Sequence, residues 1–178
     1  INFTKAIQSQ SERMATIVNE LLSISSMESG DYPISLDKLN IKNIVDSAIQ
    51  ELNPMTESSN IKLVNKISDI THIIGDESAI KIIISNYITN AIKHSPNDEI
   101  IEIDNEKIDK DFCRIKVIDN GIGIAKKYRE RVFERFFRVD KGRSKKIGGT
   151  GLGLSISKNL ALMMGYSVGV ESNEPKGS

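Results

Sequence analysis

Apolar residues recur at alternating steps of three and four along the first part of the chain, at Ile7, Met14, Ile17, Leu21 and Ile24, with Gln10 filling the one polar slot. That spacing predicts a coiled-coil-like helix over residues 1–29, with a seam that calls for a partner helix. Gly30 followed by Pro33 supplies a stop and a hinge, since glycine accepts the left-handed C-terminal conformation and proline cannot continue a helix. The pattern then changes. Residues 33–39 read as a short strand, and Asn40 caps a helix whose apolar positions Ile41, Ile44, Val45, Ala48, Ile49 and Leu52 repeat helically, with Pro54 near its end. Residues 61–67 and 73–74 are strand segments, and Gly75-Asp76 opens a strongly amphipathic helix that runs to about Ser95. Two alternating runs, 100–108 and 112–118, form neighbouring antiparallel strands. A glycine-bearing turn at 120–123 leads to a short helix, a basic irregular stretch over 138–146, a helix over 151–164 and a last strand from Ser167. Helices interleaved with mostly hairpin-linked strands give an α/β two-layer sandwich, a mixed, mostly antiparallel sheet covered by helices on one face. The expected division is a helical segment at 1–30, a linker and first strand at 31–39, and the main domain at 40–178.

Composition narrows the picture. With 178 residues, 39% hydrophobic and 27% charged, the chain has room for one full core. Its 24 basic residues balance 24 acidic ones, so the net positive charge that a grip on nucleic-acid phosphates needs is missing. The single cysteine, Cys113, cannot form an internal disulfide; it sits in an alternating apolar run, is expected to be a packing residue, and fits a reducing compartment. No apolar stretch approaches the roughly 20 residues that cross a bilayer, which predicts a soluble segment. The sequence starts mid-helix at Ile1 and stops at Gly177-Ser178 without a turn or cap, as a piece of a longer protein would, so membrane segments upstream remain compatible with it.

Three places carry candidate chemistry. On the helix of residues 76–95, Ile80, Ile83, Ile84, Tyr87, Ile88, Ala91 and Ile92 form the buried face, while Asn86, Asn90 and Lys93 stand at i, i+4 and i+7 in a stripe beside it. Two asparagines cost helix propensity; oxygen ligands for Mg²⁺ with an amine near phosphate oxygens would justify them, and a solvated polar face is the alternative. Asp119-Asn120-Gly121-Ile122-Gly123 follows a strand, so a carboxylate is held at a strand end where it could accept from an exocyclic amine such as that of adenine; the alternative is a plain tight turn. Gly148-Gly149-Thr150-Gly151-Leu152-Gly153-Leu154 opens a helix and presents backbone amides to an anion, phosphate being the natural ligand. It is not a P-loop, because no Gly-Lys-Ser/Thr follows, and Leu154 stands where a dinucleotide fingerprint needs its third glycine.

In order and spacing these elements resemble the nucleotide-binding boxes of the histidine kinase ATP domain, itself similar to the gyrase, chaperone and mismatch-repair ATPases. The stretch Asn86-Tyr87-Ile88-Thr89-Asn90-Ala91-Ile92-Lys93-His94-Ser95 looks like that family's asparagine box, and Phe133-Glu134-Arg135-Phe136-Phe137-Arg138 looks like its phenylalanine box. The resemblance covers residues 40–178, and residues 14–30 look like the end of the second helix of the kinase dimerisation hairpin. It implies that Asn90 coordinates Mg²⁺ with Asn86 in support, that Lys93 approaches the phosphates of ATP and that His94 lines the pocket. It further implies that Asp119 reads adenine, that Gly121 and Gly123 shape its pocket, and that Gly149, Thr150, Gly151, Leu152, Gly153 and Leu154 approach the triphosphate. Residues 126–148 become a mobile lid anchored by Phe136 and Phe137; Lys141, Arg143, Lys145 and Lys146 are either phosphate contacts or a solvated charge run.

The implied reaction is transfer of the γ-phosphoryl group to a histidine on a dimerisation domain, in a homodimeric parent anchored in the cell membrane, and onward to a response-regulator receiver domain. Where gyrase-type relatives carry a water-activating glutamate this chain has Asn86, and an amide is no general base, which favours kinase over hydrolase. The phosphoacceptor box is absent: His72 falls in a strand and His94 on the nucleotide helix, so neither reads as the acceptor, and autophosphorylation by this chain alone is not expected. A nucleotide-binding regulatory scaffold, a serine-directed kinase of the anti-sigma type and a gyrase-like ATPase are the competing readings.

Overall fold

The computed structural model describes residues 2–69, 71–110, 112–139, 149–173 and 176–178. Helix α1 (Asn2–Ser29) leads into strand β1 (Asp37–Asn40), helix α2 (Ile41–Thr56), strands β2 (Lys62–Asn65) and β3 (His72–Gly75), and helix α3 (Glu77–His94). Strands β4 (Ile100–Lys107) and β5 (Cys113–Ile118), two 3₁₀ turns (Lys126–Tyr128 and Arg131–Phe133) and helix α4 (Gly153–Met163) follow.

Local chemistry sets the helix starts. The Asn40 carboxamide accepts from the amides of Lys42 and Asn43 at 3.0 and 3.3 Å, and the Asp76 carboxylate accepts from Ala79 at 2.8 Å. Asp76 also accepts from the Ser35 amide at 2.9 Å, and these backbone donors hold its carboxyl below the ordinary value. That bond explains why β1 starts later than expected: Pro33 has no amide to donate, and the Ser35 amide is spent on a side chain rather than on a ladder.

The sheet follows the expected mixed pattern. β2 runs parallel to β4 with Lys62 opposite Ile100, β4 runs antiparallel to β5 with Glu102 opposite Ile118, and β1 and β3 pair antiparallel as a separate ribbon. Alternation sends Leu63, Ile101, Ile103, Ile115 and Val117 inward, where they meet Ile44, Val45 and Ala48 of α2 and Ile80, Ile84 and Ile88 of α3. On the other face Lys66 pairs with Glu102, and Lys116 with Glu106, in water. The helices therefore cover one face of the sheet.

Two expectations are corrected here. No strand forms over 165–173 among the described residues; the Gly169 carbonyl accepts instead from the Tyr87 hydroxyl at 3.2 Å. Cys113 is exposed rather than packed, because it begins β5 at the end of the hairpin beyond the helix layer. The seam of α1 meets another helix of the same chain at one end only. Ile24 and Met27 are buried with Leu152, Ile156 and Leu160 of the α4 region in a second, smaller core that also takes Ala79 of α3. Ile7, Met14 and Leu21 remain exposed, since the helix turns them away from α4.

Candidate nucleotide site

The second half of α3 is the floor of the site, and the residues of its polar stripe have unequal employment. Asn86 donates both amide hydrogens, to the Gly153 carbonyl at 2.9 Å and to the Ser157 hydroxyl at 3.1 Å. Asn86 thus pins the start of α4 against α3. One turn on, the Asn90 side chain makes no hydrogen bond to a described residue and is half-buried, which leaves it available to a ligand. Lys93 is half-buried at the edge of the glycine loop, where a methyl group at Gly149 would lie 4.0 Å from its Nζ. Burial pushes the Lys93 ammonium below its ordinary proton affinity; the Glu20 carboxylate of α1 opposes that shift and Arg138 adds to it.

At the far end of α3 the Asp119 turn closes against His94. Asp119 is 8% exposed, and its Oδ1 accepts from the Gly121 amide at 2.7 Å. Burial raises the Asp119 carboxyl above the ordinary value, opposed by the amides of Gly121 and Ser178 and by His94. Burial likewise lowers His94, which Asp119 partly offsets. Gly121 has no room for a side chain, because a Cβ there would sit 2.6 Å from the His94 carbonyl oxygen and 2.7 Å from Asp119 Oδ1. Gly123 lies against the tail, its Cβ position 2.9 Å from the Gly177 carbonyl. The Asn173 carboxamide donates to the Asp119 carbonyl at 3.0 Å, and the Asp119 amide donates to the Ser178 carbonyl at 3.0 Å.

The glycine loop makes the third wall. Gly151 takes φ +77, and its carbonyl accepts from the Phe136 amide at 2.9 Å. Phe137 stacks against Tyr128 with ring centroids 5.8 Å apart, under the Arg131 guanidinium at 4.4 Å. Phe136 thereby ties the segment before the loop to Gly151, while Phe137 packs within that segment; residues 140–148 of the expected lid, with Gly148 and the four basic side chains, lie outside the described residues. The Thr150 hydroxyl accepts from the Leu152 amide at 3.2 Å. Leu152 does not face a ligand: its side chain is fully buried in the α1–α4 core and its amide is occupied. The first turn of α4, at Gly153 and Leu154, leaves its amide hydrogens without intrahelical acceptors, the usual arrangement for an anion.

The structure thus brings together Asp119 with His94 and Gly121, Lys93 with Gly149, Asn86 with Gly153, and Phe136 with Gly151. It adds contacts that sequence reasoning did not assign. Arg138 donates to the Gly149 carbonyl at 2.8 Å, and Arg13 of α1 reaches the same oxygen at 3.5 Å. A polar cavity of about 250 Å³ is lined by Arg13, Thr16 and Glu20 from α1, by Lys93, and by Gly149 and Thr150. The signal was present: Arg13, Thr16 and Glu20 stand at i, i+3 and i+7, a polar stripe running beside Ile17 and Ile24. Among the described residues no group of three or more His, Cys, Asp or Glu gathers to hold a metal, and no helix is long and apolar enough to cross a membrane.

Comparison with known proteins identifies the family. The family of histidine kinase-, DNA gyrase B- and HSP90-like ATPases matches residues 75–178. The sensor-like histidine kinase SenX3 of Mycolicibacterium smegmatis is 36% identical over 99% of this chain and 46% of its own length. The sensor histidine kinase WalK of Bacillus subtilis is 35% identical over 99% of this chain and 29% of its own length. The chain therefore spans less than half of these relatives. Among solved structures, full-length ShkA in complex with AMPPNP superposes with a TM-score of 0.84 at 25% identity, covering 99% of this chain and 36% of ShkA. The mycobacterial sensor histidine kinase MprB gives 0.70 at 26% identity, covering 80% of this chain and 92% of that one. With its boxes folded around one helix, the chain belongs to the histidine kinase-, DNA gyrase B- and HSP90-like ATPases, as the catalytic ATP-binding domain of a sensor histidine kinase.

Proposed function

We propose that this domain binds ATP with Mg²⁺ and presents the γ-phosphoryl group to a histidine on the dimerisation domain of a longer, membrane-anchored homodimeric parent, which passes it to a response-regulator aspartate. Residues 1–30 are then the tail of the dimerisation hairpin, 31–39 the linker and 40–178 the catalytic domain. The observation that carries this reading is the convergence on one helix of an adenine-type acceptor, Asp119, and a phosphate-type wall, Lys93 with the glycine loop.

Asn90 is the residue whose free amide oxygen suits Mg²⁺, an ion that takes few protein ligands and shares phosphate oxygens; the lack of a carboxylate cage among the described residues fits that habit. When bound, Mg²⁺ neutralises charge on the phosphates. The rest falls to the chain itself. Asp119 accepts from the adenine amine through the carboxylate capacity that Gly121 leaves open, His94 and Gly123 close the base pocket, and Lys93 and the first-turn amides of α4 hold the phosphates. Asn86 carries a carboxamide, which is no general base for water, and its amide hydrogens serve to hold the start of α4; both support transfer over hydrolysis.

The test is calorimetric titration with ATP, with and without Mg²⁺, of the chain and of Asp119→Asn, whose amide presents a donor where the adenine amine needs an acceptor. Binding by the chain and a loss of roughly 10- to 100-fold in the variant are expected. No binding by the folded chain, or equal binding by both proteins, refutes the assignment.

A further inference from the structure

Helix α1 supplies half of the wall around the cavity at the phosphate end of the site, through Arg13, Thr16 and Glu20 on one face. It is held there by the burial of Ile24 and Met27 against Leu152, Ile156 and Leu160, and by an ion pair between Glu28 and Arg135. Glu20 is the anomaly in that wall. Its Oε2 is shielded from solvent yet accepts no hydrogen bond among the described residues, and its charge is felt by Lys93 across the cavity. A carboxylate has therefore been placed, without a donor of its own, beside the amine that a phosphate would use.

We propose that Glu20 is a specificity-determining residue of the nucleotide site: with α1 docked it opposes the terminal phosphoryl group of ATP, and it leaves ADP, one phosphoryl shorter, nearly unaffected. This rests on the reading that Lys93 and the glycine loop hold the phosphates. Two like charges in a half-buried cavity interact far more strongly than in bulk water, and Arg13, the other charged group of α1 on that face, offsets only part of it because it is exposed and directed at the Gly149 carbonyl. Coupling is reciprocal, so the nucleotide that Glu20 disfavours must in turn weaken α1 docking. ATP loosens the helix; ADP leaves it seated.

The experiment compares Mg-ATP and Mg-ADP affinities by calorimetry for the 178-residue chain, Glu20→Gln and, as a charge control, Glu12→Gln, an exposed carboxylate on the same helix that does not line the cavity. Glu20→Gln is expected to tighten ATP by about tenfold and to change ADP by less than about twofold, whereas Glu12→Gln leaves the ratio of the two unchanged. Spin labels on Cys113 and on Ser11→Cys should show the distance lengthening with Mg-ATP but not with Mg-ADP, a difference that Glu20→Gln abolishes. An unchanged ratio, or weaker ATP binding in Glu20→Gln, overturns the proposal. ADP binding with a flat ratio sinks this inference alone, while absence of binding of either nucleotide to the unmodified chain removes the nucleotide reading beneath it.

Discussion

Replacing Asn86 by alanine separates two roles that the sequence assigns to one residue. Its carboxamide bridges α3 to α4 with two hydrogen bonds, at 2.9 Å to the Gly153 carbonyl and 3.1 Å to the Ser157 hydroxyl. The Ser157 hydroxyl also reaches the Gly153 carbonyl at 3.0 Å, so deleting the amide orphans no carbonyl. The cost is then two net hydrogen bonds at about 1 kcal/mol each, plus a small void, less about 0.5 kcal/mol returned by the better helix propensity of alanine. A loss of about 2 kcal/mol, or roughly 4–8 °C in melting temperature for a chain of this size, is expected in urea and thermal unfolding. ATP affinity should fall only a few-fold, as the loosened start of α4 costs some order in the glycine loop. Asn86→Asp should be worse than alanine for stability, because it sets an acceptor against the Gly153 carbonyl. If Asn86→Ala keeps its full stability while ATP binding disappears, Asn86 is a ligand and the pin is incidental.

Two further perturbations follow from the same geometry. Gly121→Ala forces a methyl group to within 2.6 Å of the His94 carbonyl and 2.7 Å of Asp119 Oδ1, so it should displace the carboxylate, cost about 1–3 kcal/mol of stability and abolish ATP binding by calorimetry; unchanged affinity would falsify the placement of adenine. Lys93 is lowered by burial, so its charge is lost as pH rises through a value below the ordinary 10.5, and ATP affinity should fall over that range. A bound polyanion pulls the amine's proton affinity back up. ATP binding there should consequently take up protons, seen as a buffer-dependent heat, and Lys93→Met should remove the uptake.

Much of this architecture is written locally in the sequence. Asn40 and Asp76 announce helix starts because each has a carbonyl-type oxygen beside amides that need one, and the stripe of α3 emerges from 3.6-residue geometry alone. What escaped depends on contacts far apart in the chain. Periodicity places Ile17, Leu21 and Ile24 on one seam, yet which of them meets another helix depends on where α4 lies, more than a hundred residues on. Leu152 was grouped with its glycine neighbours as a ligand residue. It is the large side chain in a run of small ones, and the fold uses it to fill the core behind the loop. The strand expected from Ser167 failed for a similar reason: alternation shows that a segment could pair, not that an edge is free to receive it.

The division of the interior into a main core beneath the sheet and a smaller one between α1 and α4 has a mechanical consequence. Leu152, one residue before α4, belongs to the smaller core, while Asn86, which holds the same helix start from the other side, stands on the helix that anchors the larger. The glycine loop is therefore suspended between two bodies of unequal size. Among the described residues the smaller core has six buried members and the larger thirteen, so the smaller opens at lower free energy. Heating or mild denaturant will slacken the suspension from the α1 side first, and the phosphate wall will lose its shape while the sheet and the Asp119 turn still stand.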